Sequence, residues 1–236
     1  MFAGPNGSGK STMKALLRPE LLARYINPDE IEAEIRGRAV FNLSFWDVQT
    51  DESEIAEFFA RSTLLARAGL LDAATRLRLV NGQLLFSDVE VNSYFASVVA
   101  DFVRQKLLIA RRSFTFETVM SSPDKPELLR RAQEAGFRTY LYFVATDDPE
   151  INISRVASRV RAGGHDVPTD KIVARYTRSL ELLTGAIQSA DRAYLFDNSG
   201  PRLDFLAEFQ GGQLLEIKTD LPPRWFETYV LERLAS

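Results

Sequence analysis

The chain has no cysteine and a single histidine in 236 residues. The first absence excludes disulfides and thiolate metal sites and is compatible with a reducing cytoplasm, where we expect the protein to work. The second excludes serine-type triads and multi-histidine metal centres. No apolar run is long enough to span a membrane, and there is no signal-peptide pattern. Charge of one sign is also missing. A net charge of -3 gives no global basic field for a nucleic-acid or membrane-surface partner. What is present is ordinary for a globular protein with a sizeable core, with 45% hydrophobic and 26% charged residues. The length suits a single α/β domain, residues 1–236, carrying an insertion.

The most informative stretch comes first. Gly4-Pro5-Asn6-Gly7-Ser8-Gly9-Lys10-Ser11 fits the phosphate-binding loop pattern G-x-x-x-x-G-K-[ST], with Thr12 following. In such a loop consecutive backbone N–H groups converge on phosphate oxygens, and the helix that follows adds its positive end. Glycine serves where the backbone turns through positive φ or must approach phosphate closely. Lys10 is expected to reach the β- and γ-phosphates, and the Ser11 hydroxyl to bind Mg²⁺. Apolar residues before the loop (Met1-Phe2-Ala3) and after it (Met13, Ala15, Leu16, Leu17) supply the strand–loop–helix context. The strand is either very short or begins upstream of Met1.

Further along, Arg24-Tyr25-Ile26-Asn27 reads as a short strand, and Pro28 with Asp29 and Glu30 starts a helix. Asp29 therefore sits at the carboxyl end of a strand, where open α/β sheets place their chemistry, although a helix-capping or dipole-compensating acid reads equally well. Residues 40–87 read as a mainly helical insertion, with a hairpin at Asn81-Gly82. One helix is expected to carry Ile55, Phe58, Phe59, Ser62 and Leu65 on a single stripe, and another to start at a capping box from Ser87 to Glu90. Ser113-Phe114-Thr115-Phe116 is a strand ending in Glu117-Thr118, and 137–144 is an apolar, buried one. Arg192 to Asn198 is another strand with a polar end, where Asp197 reads as a metal-sphere carboxylate or as a capping acid. Alternating strands and helices predict a P-loop NTPase fold of the kinase-like kind, with a mostly parallel sheet flanked by helices.

Cations concentrate around Gly163-Gly164: Arg155, Arg159 and Arg161 before the break, Lys171, Arg175 and Arg178 after it, with His165 at its tip. Arginines bracketing a glycine break are what a lid over a triphosphate requires, so residues 155–178 read as a lid. Phosphoryl transfer also needs a base near the acceptor hydroxyl. Asp29 and Glu117 are the available carboxylates at strand ends.

Taken together, residues 4–12, Asn27-Pro28-Asp29, 113–121 (SFTFETVMS), 155–168 (RVASRVRAGGHDVP) and 172–183 (IVARYTRSLELL) resemble the zeta-toxin family of P-loop kinases. Asp197-Asn198-Ser199 continues the match, which covers most of the chain outside 40–87. The resemblance implies ATP- and Mg²⁺-dependent phosphorylation of a small hydroxylated acceptor, in the best-known members a UDP-activated amino sugar. It implies that Lys10 and Ser11 hold nucleotide and metal, and that Asp29 deprotonates the acceptor. Glu117 and Thr118 would bind the acceptor, with Arg159 and Arg175 on the transferring phosphate. It also brings an antitoxin-like protein into view as a partner.

Two departures fall on the acceptor side. Asn27-Pro28-Asp29-Glu30 stands where toxin members have Asp-Gly-Asp and a downstream arginine, and Glu117-Thr118 lacks the glycine of their Glu-Gly-Thr. A kinase for another acceptor (a nucleoside, an antibiotic or a polynucleotide 5′-hydroxyl) therefore stays open. So does a nucleotide-dependent protein-binding switch.

Overall fold

The computed structural model describes residues 1–164 and 166–235. They form two compact units: Met1–Leu21 with Glu117–Ser236, and Leu22–Phe116.

In the first unit the strands Tyr140–Ala145 and Arg192–Asp197 pair in parallel, with Tyr140 opposite Arg192 and Ala145 opposite Asp197. Phe2–Ala3 lies on the other side of Tyr140–Ala145 and pairs in parallel with residues 117–118 beyond it. The outer strands Asp204–Gln210 and Gln213–Ile217 are antiparallel, joined through Gly211 and Gly212, both at positive φ. The parallel strands are apolar because neighbours bury them: Phe2, Leu141, Phe143, Ala193 and Leu195 are all at most 1% exposed. Trp225 packs on Phe143 from the C-terminal segment, followed by the buried Phe226 and Val230.

The chain leaves Phe2–Ala3 through Gly4, whose φ is 141°. A Cβ there would lie 2.0 Å from the Val144 carbonyl oxygen. Gly4→Ala is therefore expected to lower unfolding stability by about 3 kcal/mol, from clash and backbone strain together. Gly37→Ala, in a helix with open space around it, should raise stability by about 0.5 kcal/mol. Denaturant midpoints of the two variants read this contrast directly, and a Gly4→Ala midpoint at or above wild type would contradict it.

In the second unit, Arg24–Ile26 pairs in parallel with residues 114–116. The helix Pro28–Arg38 packs on the long helix Ser93–Ile109 through Ile31 and Ile35 on one side and a face including Phe95, Val99 and Phe102 on the other. The expected insertion falls wholly within this unit. It holds a three-stranded antiparallel sheet (Val40–Asn42, Gln83–Leu85, Arg78–Val80) beside the helices Glu52–Ala60, Thr63–Arg67 and Leu71–Ala74. The hairpin at Asn81-Gly82 forms with φ of 51° and 74°, the paired left-handed turn that this dipeptide favours.

Two expected boundaries move. The Ile55–Leu65 stripe is not one helix, because the first helix ends at Ala60 and the Ser62 hydroxyl accepts from Leu65 N–H to cap the next. The helix expected from Ser87 starts instead at Ser93. Phe86 N–H bonds Ala39 O, Val89 and Val91 are buried, and Asn92 caps Tyr94 and Phe95 N–H, so the chain through 86–91 is held out of helix.

Candidate functional site

The phosphate-loop pattern folds into a tight backbone turn on the first unit. Gly4, Gly7 and Gly9 all have positive φ, and close contacts explain why no side chain stands there. A Cβ on Gly7 would lie 2.7 Å from Asn152 O, and one on Gly9 2.0 Å from Asn198 Nδ2. Gly9 is the N-cap of the helix Lys10–Leu16, with no side-chain cap bond. Lys10 is buried, and its Nζ donates to Gly4 O at 2.8 Å and Pro5 O at 2.9 Å, so the ammonium is folded onto its own loop. Ser11 and Thr12 open the helix and are exposed.

Two polar atoms of the loop are buried without a hydrogen-bond partner, Asn6 Oδ1 and Ser8 Oγ, and Arg155 Nη1 on the helix Pro149–Arg161 is another such atom. Native proteins seldom leave such groups unpaired, and a cluster of them marks a place where a polar ligand completes the set. Pro5 and Ser8 close the loop through Ser8 N–H to Pro5 O at 3.3 Å.

Two asparagines hold the loop from outside. Asn152 Nδ2 donates to Asn6 O at 2.6 Å, and Asn198 Nδ2 donates to Ser8 O at 2.8 Å. Asn152 and Thr146 are fully buried, the Thr146 hydroxyl donates to Asn152 Oδ1, and the Tyr176 phenol donates to Thr146 O at 2.7 Å. Burial, with smaller contributions from Asp147, Tyr229, Asp148 and Asp197, raises the Tyr176 pKa well above the ordinary phenol range, so it stays a donor. Asn152 and Thr146 were invisible in the sequence, because neither belongs to a local pattern, and Tyr176 stood in the 172–183 stretch with no role of its own. The Asp148-Pro149 helix start, three to four residues before Asn152, was the nearest signal.

Glu117 and Thr118 end their strand beside the one that feeds the loop, Glu117 opposite Phe2 and Thr118 opposite Ala3. Both are half-buried, and Thr118 Oγ1 accepts from Met120 N–H at 3.0 Å. Asp197 resolves toward the capping reading. Its oxygens accept from Ser199 N–H, from the Ser199 hydroxyl and, at 2.8 Å, from Trp225 Nε1, so it is committed to fixing the strand end. Among the described residues no group of three or more His, Cys, Asp or Glu could hold a metal.

The lid arginines sit on two helices, Pro149–Arg161 and Thr169–Glu181. Val156, Val167 and Ile172 bury each other between these helices, with Ile153 and Val160 packed alongside. Arg155 and Arg175 are half-buried, while Arg159, Arg161 and Arg178 are exposed. Arg161 bonds Ser158 Oγ, and Arg178 bonds Ala174 O. Gly163 and Gly164 turn back onto the first helix, donating to Val160 O and Arg159 O, so this glycine pair closes the helix just past its C-cap, Ala162. His165 lies outside the described residues.

Asp29 belongs to the second unit, in the first turn of Pro28–Arg38. The cap there is Asn27, whose Oδ1 accepts from Asp29 N–H at 2.9 Å. The Asp29 side chain is exposed and takes no part in capping. Thus the loop, Glu117, Thr118 and the lid arginines share the first unit, and Asp29 lies in the second. In the same unit Phe41 and Trp46 are buried, while Phe45 is 78% exposed.

The zeta toxin family model matches residues 87–203. An uncharacterized protein of Haemophilus influenzae is 32% identical over 63 residues, 27% of this chain and 45% of that one. Among solved structures, the AvrRxo1-ORF1:-ORF2 complex with ATP is similar at a TM-score of 0.57 and 16% identity, over 92% of this chain and 60% of that chain. The same complex with sulfate ions gives 0.54 and 15%, over 100% and 63%. The chain thus spans less than two thirds of the length of each of these three, and the structural likeness is one of fold. Among the described residues no helix is long and apolar enough to cross a membrane.

Proposed function

We infer, from a chain of the zeta-toxin family folded as a P-loop kinase, that it transfers the γ-phosphate of ATP to a hydroxyl of a small acceptor in the cytoplasm. The observation that carries this reading is the loop itself. Its three glycines turn through positive φ, and Asn6 Oδ1 and Ser8 Oγ on it are left buried and unpartnered. A nucleotide phosphate would complete these groups, and Lys10 would exchange the carbonyls of Gly4 and Pro5 for phosphate oxygens.

Mg²⁺ fits the same residues. It needs few protein ligands when phosphates and water supply the rest, and the exposed Ser11 hydroxyl is the one this loop offers. When bound, it neutralises charge on the phosphate oxygens. In the reaction, the Asp29 carboxylate accepts the proton of the acceptor hydroxyl as its oxygen attacks the γ-phosphorus and ADP departs. Glu117 and Thr118 orient the acceptor, with a UDP-activated amino sugar as the candidate that the family resemblance supplies. Arg155, Arg159, Arg161, Arg175 and Arg178 supply positive charge to the moving phosphate, Arg159 and Arg175 most directly.

A protein partner of antitoxin type is part of this reading, supported by the two-component assembly of the AvrRxo1-ORF1 structures. The same observation favours one rival, a switch in which bound ATP recruits the partner without transfer.

Arg159→Ala and Arg175→Ala are each expected to lower kcat about 10²-fold while changing ATP affinity little, since they act on charge that develops during transfer. Steady-state kinetics against ATP separate the two effects. Full turnover in both variants would remove the lid from the mechanism.

A further inference from the structure

We propose that Asn152 and Asn198 are positioning residues, a pair of side-chain amides that turn two peptide planes of the phosphate loop so that the Gly7 and Gly9 N–H groups face the phosphates. The inference rests on the nucleotide-binding reading and assigns a task to two residues outside the loop pattern.

In a trans peptide the C=O of one residue and the N–H of the next point in opposite directions. Asn152 Nδ2 holds the Asn6 carbonyl at 2.6 Å, which directs the Gly7 N–H to the opposite side of that plane. Asn198 Nδ2 holds the Ser8 carbonyl at 2.8 Å and directs the Gly9 N–H in the same manner. Both peptide planes are therefore fixed by bonds reaching 146 and 190 residues along the chain, and the loop's own sequence does not set them.

The amides are themselves held. Asn152 is fully buried, and the Thr146 hydroxyl donates to its Oδ1, which leaves Nδ2 as the end that meets Asn6 O. Tyr176 fixes Thr146 in turn through its carbonyl. Asn198 follows Asp197, which is locked by Ser199 and by Trp225 Nε1. The glycines complete the fit from the other side. A Cβ on Gly7 would strike the Asn152 backbone and one on Gly9 the Asn198 amide, so loop and clamp approach as closely as bare backbone allows. Donors placed in advance of the ligand are worth more than donors that must reorganise on binding.

Asn198→Ala tests this at a half-buried position, and Asn152→Asp tests it with an isostere that keeps the Thr146 bond and cannot donate to Asn6 O. The probes are ATP and inorganic tripolyphosphate, titrated calorimetrically against wild type and variants, with the folded fraction read from circular dichroism. Wild type binding neither probe would overturn the nucleotide reading itself and not this inference alone. With wild type binding both, the expected result is that each variant weakens ATP and tripolyphosphate by the same factor, about tenfold, because the amides act on phosphate contacts that the two ligands share. Folded Asn198→Ala that binds both probes as wild type does overturns the proposal. So does weakening confined to ATP, which would place the residue against the nucleoside. Should the buried Asn152→Asp fail to fold, Asn198→Ala decides.

Discussion

Lys10→Ala is expected to lower kcat/KM for ATP by about 10²- to 10³-fold, the scale of removing one preorganised donor from a transition state. Lys10 is the cation of the phosphate loop, buried against it, with its ammonium 2.8 and 2.9 Å from the carbonyls of Gly4 and Pro5. Those contacts already fix the side chain over the loop, so its charge needs only a short change of partners to meet phosphate. Removing it also deprives the two carbonyls of their donor, and some loss of stability accompanies the loss of binding. The two effects separate when ATP affinity is measured by calorimetry at a temperature where the variant is fully folded. Lys10→Arg should not restore function, since a planar fork does not fit where a compact ammonium lies between two carbonyls. Unchanged ATP affinity in folded Lys10→Ala would mean that the loop does not bind triphosphate.

Asp29→Asn should leave ATP affinity and stability close to wild type and cut turnover by about 10²- to 10⁴-fold, the range for a positioned general base. The structure makes this substitution informative. Asn27 caps the helix Pro28–Arg38, and the exposed Asp29 side chain does not, so the amide replaces a carboxylate without disturbing a cap. Melting temperature and ATP titration should therefore match wild type, while product formation does not. A variant that still turns over at the wild-type rate would assign the base elsewhere, with Glu117 the next carboxylate to test.

What could be read from the sequence was what local physics determines. The phosphate loop was legible because its backbone needs glycine at Gly4, Gly7 and Gly9, and few other folds demand that spacing. The Asn81-Gly82 hairpin was legible for the same reason, as was the buried parallel strand now placed at Tyr140–Ala145. The mostly parallel sheet followed from the alternation of these elements.

The failures were long-range. The box from Ser87 to Glu90 has good capping chemistry, but Phe86, Val89 and Val91 are held by other contacts, and Asn92 caps the helix instead. Asp197 was ambiguous until Trp225, 28 residues away, took one of its oxygens. Asn152 carries no signature because its role is defined by Asn6 and Thr146, which only the fold brings to it.

The central claim is phosphate transfer to a small hydroxylated acceptor. It is tested most directly by incubating the protein with γ-labelled ATP, Mg²⁺ and a bacterial small-molecule extract, comparing wild type with Asp29→Asn. The account predicts a labelled small molecule with wild type that is absent with the variant, its mass identifying the acceptor. ATP bound by wild type with no labelled small molecule formed, or a product formed equally by Asp29→Asn, would contradict it.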